Sequence, residues 1–245
     1  ITGGRFSLGL GASGPQVVEG LHGVPFARPL TRMRETIEVV RMAEAGERLA
    51  IDGEQICLPL PGGEGKALRL ALRPPTGSDH PPLPIYIASL SPRMLALTGE
   101  VADGWLGTSF VPEGAASSFD ALTAGAQRAG RSLTDLDLCQ GAEVAFARDE
   151  ADLAAMVDTR RAGLAFSLGG MGSADTNFYN DAYARQGFAE VASESQRLWL
   201  AGDRSAAASV IPDEMVLATT LLGTEEMVAE RLRVWHDVGI THVRL

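Results

Sequence analysis

Short apolar runs and longer helical faces alternate along the chain, and residues 84–105 show the pattern at its tightest. Ile85, Tyr86, Ile87 and Ala88 form a β-rich apolar run. Ser89, Leu90 and Ser91 make a small turn. Pro92 suits the first position of a helix, where its missing N–H costs nothing. Met94, Leu95, Leu97 and Val101 then recur at helical spacing, and Ala102-Asp103-Gly104 closes the helix.

The same reading predicts strands over residues 5–10, 69–72, 136–147 and 240–245. It predicts a small hairpin over 49–61 around Asp52-Gly53 and a proline-rich connector over 74–84. Helices are predicted over 32–45, capped by Thr31, and over 120–129, stopped by Gly130. Others start at Asp149-Glu150, cover most of 178–200 with a break near Gly187, and run from Thr224 to 238. Strand and helix alternate without an internal repeat, which favours an α/β fold with a parallel sheet in a single domain, 1–245. Periodicity alone does not separate a barrel from a doubly wound sheet.

Composition narrows the class. A hydrophobic share of 45% and a charged share of 21% are globular values. A formal net charge of −10 argues against a nucleic-acid or anionic-membrane surface, although it leaves room for a local positive pocket. Cys57 and Cys139 stand apart, without a CxxC or neighbouring histidines, so a disulfide scaffold or a zinc site is not expected. Two reduced thiols, no apolar run of membrane-spanning length and no signal peptide at the first residue point to the cytoplasm.

Three stretches carry candidate chemistry. Residues 9–14 match GxGxxG after a strand, but a dinucleotide fingerprint needs a sustained helix directly after it. Gly20, Gly23 and Pro25 interrupt that helix, so the fingerprint is set aside. What remains is either a backbone that lets a ligand approach at Ala12, Ser13 and Gly14, or a tight turn without one. The turn of Ala88, Ser89, Leu90, Ser91 and Pro92 aims a helix N-terminus at the carboxyl end of a strand. Free N–H groups and the helix dipole there suit an anion such as phosphate. The same turn is also an ordinary strand-to-helix connection. Gly170, Met171 and Gly172, with Asn177 nearby, read as a ligand-bordering loop or as a turn capped by Ser173 or Asp175. Of the four histidines, only His22, near Gln16 and Glu19, is placed to face a cleft. There is no Ser-His-Asp set and no metal-ligand spacing, so no catalytic side chain and no metal are assigned. That absence suits an enzyme whose cofactor carries the chemistry.

Residues 84–105 resemble the bacterial-luciferase-like oxidoreductases, and specifically their coenzyme F-420 (8-hydroxy-5-deazaflavin) branch. The shared phrase stands here as Ile85, Tyr86, Ile87, Ala88, Pro92, Met94, Gly99, Ala102, Asp103, Gly104 and Trp105. Residues 3–26, GGRFSLGLGASGPQVVEGLHGVPF, resemble the fourth barrel strand and its loop. Residues 169–188, GGMGSADTNFYNDAYARQGF, resemble a late loop of the deazaflavin branch. The resemblance implies a (β/α)8 TIM barrel of the luciferase-like type, covered here from the fourth strand onward and lacking roughly the first three βα units. It implies hydride transfer between F-420 and a small-molecule substrate, with Ala12, Ser13, Gly14, the turn from Ala88 to Pro92, and Gly170, Met171 and Gly172 bordering the cofactor. It also implies a homodimer. An FMN-dependent monooxygenase on the same fold is the nearest alternative, and a non-catalytic remnant with a scaffold or dimerisation role is the second.

Overall fold

The computed structural model describes residues 5–70 and 82–244. Strand β1 (Leu8–Gly11) leads through α1 (Pro15–Gly20) to α2 (Pro29–Glu44) and a hairpin of β2 (Ile51–Asp52) and β3 (Cys57–Leu58). The chain continues through β4 (Ile85–Ala88), α3 (Pro92–Val101), β5 (Gly104–Gly107), α4 (Ala116–Arg128) and β6 (Asp137–Gly141). After β7 (Val144–Phe146) come α5 (Glu150–Ala165), α6 (Phe178–Tyr183), α7 (Ala189–Leu200), α8 (Arg204–Ser209) and α9 (Asp213–Thr219). The chain closes with β8 (Leu221–Gly223), α10 (Glu225–Asp237) and β9 (His242–Arg244).

Strand order decides between the two α/β architectures. The main sheet is five-stranded and parallel, in the order β1-β4-β5-β6-β9. Its strands follow one another in sequence without the reversal that defines a doubly wound sheet. The sheet is a consecutive parallel arc of the kind a (β/α)8 barrel is built from. The strand expected over 136–147 is two strands: β6 stays in the arc, while β7 leaves it to pair in parallel with β8. Arg69 makes an isolated antiparallel bridge to Arg48 and Leu70 is not in a strand, so no strand forms over 69–70; residues 71–72 lie outside the described residues, as does most of the 74–84 connector.

Register gives the sheet two faces. Ile87, Trp105 and Leu138 are neighbours on the face covered by helices, and Tyr86, Gly104 and Asp137 are neighbours on the other. On the covered face Phe110 meets Trp105 and Trp235 edge-on, at 6.0 and 5.9 Å between centroids. Helices α3 and α4 pack backbone to backbone. A Cβ on Gly99 would lie 2.0 Å from the Leu122 carbonyl, and one on Gly125 would lie 1.8 Å from that of Ala96.

Helix α2 starts at Pro29 rather than after Thr31, because Arg28 turns into the left-handed region (φ 45°) and Pro29 takes the first helical position. Its Glu35 is buried and holds the hairpin: the carboxylate accepts the N–H groups of Glu54, Gln55 and Ile56 at 2.8, 2.9 and 2.7 Å. Burial pushes this carboxyl up, but the three N–H donors and the nearby Arg32 outweigh it and hold its pKa below the ordinary value.

Candidate functional site

Strands β1 and β4 end side by side, with Gly11 and Ala88 as register partners. Two of the sequence-predicted stretches therefore meet at the carboxyl edge of the sheet. A Cβ on Gly11 would lie 3.6 Å from that of Ala88. Beyond Gly11 the chain passes through Ala12 to Ser13, a non-glycine residue in the left-handed region at φ 58°, and then Gly14. Such a conformation costs free energy and is held by its surroundings.

Beyond Ala88 the turn divides its labour. Ser89 is buried: its Oγ lies 2.9 Å from Thr98 Oγ1, and its carbonyl accepts the Trp105 indole N–H at 3.0 Å. Ser89 thus serves as framework, with its side chain turned into the core. Ser91 caps α3, its Oγ accepting the Met94 N–H at 3.4 Å, and Pro92 opens the helix. The N–H groups of Leu90, Ser91 and Arg93 have no backbone acceptor among the described residues, which leaves a row of donors at the helix start.

The third predicted stretch follows α5, where residues 166–170 widen into a π-type turn. Asn177 secures it, donating to the carbonyls of Ser167 and Leu168 at 3.1 and 2.9 Å while its Oδ1 accepts the N–H groups of Tyr179 and Asn180. The glycines here answer to packing. A Cβ on Gly170 would sit 2.6 Å from the Phe166 ring, and one on Gly172 would sit 2.1 Å from the Thr176 carbonyl. Met171 between them is exposed.

Two contacts tie this stretch to the others. Gln16 Nε2 reaches the Thr176 carbonyl at a long 3.5 Å, and Arg185 Nη2 donates to the Leu90 carbonyl at 2.8 Å. Arg185 belongs to a kink between α6 and α7 made by Gly187 at φ 104°. Its neighbour Gln186 is buried and grips the loop after β5. The Gln186 amide donates to the Ser109 and Ala182 carbonyls at 2.7 and 2.9 Å and accepts the Val111 N–H at 2.7 Å. One kink therefore fastens two strand-end loops. Surrounding protein displaces part of the water around the Arg185 guanidinium and holds its pKa below arginine's ordinary value, with Asp181 acting in the opposite sense. A charge-bearing donor stands beside the donor row of α3. Sequence reading placed the loops but not Arg185 or Gln186, whose partners lie 95 and 75 residues away.

A polar cluster on the uncovered face was also missed. Tyr86 Oη donates to Asp137 Oδ2 at 2.5 Å, and His242 Nδ1 lies 3.8 Å from Asp137 Oδ1 and 2.8 Å from Thr241 Oγ1. His242 is exposed and joins this cluster. Burial and then Asp137 push the Tyr86 hydroxyl up to about 12, and the same two causes raise the Cys139 thiol, partly opposed by Arg244. His22 is exposed, while its neighbour Glu19 accepts the Phe26 N–H at 3.0 Å. Among the described residues no helix is long and apolar enough to cross a membrane. No group of three or more His, Cys, Asp or Glu among them is arranged to hold a metal ion.

A barrel arc with loops converging at the carboxyl ends of its strands is the layout in which this fold builds binding sites. The model of the luciferase-like monooxygenase family matches residues 1–242, and the chain belongs to that family. A Mycobacterium tuberculosis protein, provisionally named a coenzyme F-420-dependent oxidoreductase, is 38% identical over 244 residues, covering 98% of this chain and 70% of that protein. A 5,10-methylenetetrahydromethanopterin reductase of Archaeoglobus fulgidus is 29% identical over 243 residues, covering 99% of this chain and 68% of its own. Among solved structures, the coenzyme F-420-dependent tetrahydromethanopterin reductase of Methanopyrus kandleri superposes with a TM-score of 0.73 at 23% identity, covering 98% of this chain and 68% of that one.

Proposed function

We propose that this protein is an oxidoreductase that uses coenzyme F-420 to exchange a hydride with a small organic substrate. The observation that carries this reading is the meeting of three loops at one edge of the sheet, with a donor row at the start of α3 and the Arg185 guanidinium beside it. The relatives named for F-420 support it.

The residues present fit such a cofactor. The N–H groups of Leu90, Ser91 and Arg93 and the guanidinium of Arg185 form a donor set for a phosphodiester. The small residues Ala12, Gly14 and Ala88 leave room for backbone approach at the strand ends. Ser13 and Gly11 shape the floor, while Gly170, Met171 and Gly172 flank it through the Gln16–Thr176 contact. When bound, a deazaflavin supplies a two-electron hydride carrier, and the protein's task is to bind, orient and keep water out. The Gln186 grip on Ser109 and Val111 and the Arg185 bond to Leu90 preorganise these loops before any ligand arrives.

Fluorescence quenching with F-420 and with FMN in parallel tests the reading. Saturable quenching by F-420, with FMN binding at least tenfold weaker, is the expected result. Tight FMN binding without F-420 binding would replace it with a flavin monooxygenase.

A further inference from the structure

In the helical layer that covers the sheet, an open groove of about 370 Å³ runs between α2 and α3 and reaches the last residue of α4. One stripe of α3 makes its floor: Arg93, Ala96, Leu97 and Glu100 fall at i, i+3, i+4 and i+7 and so share a face. Leu97 is buried and Ala96 half-buried, so the middle of the floor is apolar. Leu30, Thr31 and Arg34 wall the groove from α2, and Arg128 closes it from α4.

The charges divide between the two ends. At the end nearer the strand tips, in the first turn of α3, stands Arg93, exposed and without an ion pair among the described residues. Its backbone N–H belongs to the donor row, while its side chain lines the groove. Thr31, in the first turn of α2, adds a hydroxyl at the same end. At the other end Glu100 sits between two half-exposed guanidiniums, 2.9 Å from Arg34 and 3.6 Å from Arg128. Arg93 thus leaves one positive charge at the first end, and two arginines against one glutamate leave one at the second. A guanidinium carries five N–H donors, so the single Glu100 carboxylate leaves most of those on Arg34 and Arg128 open. The seven residues from Arg93 to Glu100 set the ends about 10 Å apart, at 1.5 Å per helical residue. On a chain of net charge −10, this positive strip is a local exception.

We infer that this groove binds a linear molecule with a carboxylate at each end and an apolar middle. One carboxylate meets Arg93, the other meets the open N–H groups of Arg34 and Arg128, and the methylenes between them cover Ala96 and Leu97. A phosphate monoester gathers its charge at one end and leaves the other cation unmatched, and a monocarboxylate does the same. Exposed ion pairs are individually weak, so the discrimination is severalfold and depends on the span between the two carboxylates.

Amide shifts of Ala96 and Leu97 in the isotope-labelled full chain, followed by NMR at constant ionic strength, test this with suberate, malonate and octanoate. The carboxylates of extended suberate lie nearly as far apart as the two ends of the groove. Suberate is therefore expected to bind saturably, and about fivefold more tightly than malonate, which is too short, or octanoate, which has one carboxylate. Arg93→Gln should bring suberate down to the octanoate level. Glu100→Gln raises the far end to two excess charges and should tighten octanoate severalfold. The acid series on the parent protein is informative even where a variant does not fold. No saturable shift, equal affinity for the three acids, suberate binding unchanged in folded Arg93→Gln, or octanoate binding unmoved in folded Glu100→Gln overturns the inference.

Discussion

Tyr86 on β4 reaches across the whole of β5 to Asp137 on β6, and it can do so because the residue beneath its ring is Gly104. The hydroxyl meets the carboxylate at 2.5 Å, while a Cβ on Gly104 would lie 2.2 Å from the ring. Gly104→Ala should lift the ring off its partner and cost about 1–3 kcal/mol, the usual range for overpacking. Tyr86→Phe should cost about 0.5–1.5 kcal/mol, the net worth of one ordinary hydrogen bond, because the half-exposed Asp137 carboxylate takes water in its place. Because both act on one contact, the Gly104→Ala cost should largely vanish in a Tyr86→Ser background. Urea denaturation of the four proteins measures this, and simple additivity would show that the ring does not depend on the glycine.

The same contact sets an alkaline limit. The Tyr86 hydroxyl titrates at about 12 in the folded protein, through burial and then Asp137, against 10.0 for a free tyrosine. Tyr183 is likewise pushed to about 12, by burial. Between these values the folded protein holds protons that the unfolded chain has lost, so stability is fully present below pH 10 and falls as pH rises toward 12. Tyr86→Phe and Tyr183→Phe should each flatten the decline of melting temperature across that window. A slope unchanged in both variants would contradict the assignment.

Local chemistry made residues 85–105 readable in advance: a β-rich run, a capping serine, a proline at the first helical position and a closing glycine each act over a few residues. The break near Gly187 was readable for the same reason, since glycine alone takes φ 104° without strain. The division of 136–147 was not. Whether residues 142–143 continue a strand depends on β8, some 80 residues downstream, capturing Val144–Phe146. The Tyr86–Asp137–His242 cluster was hidden because parallel register, not spacing along the chain, brings those residues together. Ser89 was legible as a small turn residue, but its inward side chain depends on Thr98 and Trp105, and only the packed helix reveals that.

Glu35 predicts an acid-sensitive hairpin. Its carboxyl titrates below the ordinary glutamate range because three backbone N–H groups outweigh its burial. The stabilisation is therefore present above the unfolded value and lost as pH falls through the folded one. Protection factors for hydrogen exchange at Glu54, Gln55 and Ile56, taken relative to the intrinsic rate at each pH, should fall in Glu35→Ala at neutral pH and in the parent protein in acid, while the β4–β5 amides stay protected. Gly53→Ala should act similarly, since its Cβ would fall 2.5 Å from the Glu35 carboxyl carbon. Uniform protection across the hairpin in Glu35→Ala would show that the carboxylate does not hold it.

Arg185 is the residue on which the cofactor reading can be tested most directly. Its bond to the Leu90 carbonyl fixes a cation beside the N–H donors of α3, and Gln186 and Gly187 hold the kink that delivers it. A charge-assisted contact to a phosphodiester is worth about 1.5–3 kcal/mol, so Arg185→Ala should weaken F-420 binding by roughly 10- to 100-fold. Arg185→Lys should recover part of the loss, because a lysine keeps the charge without the planar fork. Loss of affinity could also come from a displaced Leu90 turn, and salt dependence separates the two causes. If charge is the cause, raising ionic strength should weaken the parent protein more than Arg185→Ala, and the two affinities should converge. Parallel salt curves with a constant offset would make Arg185 a structural tie and leave the anion to the α3 donors alone.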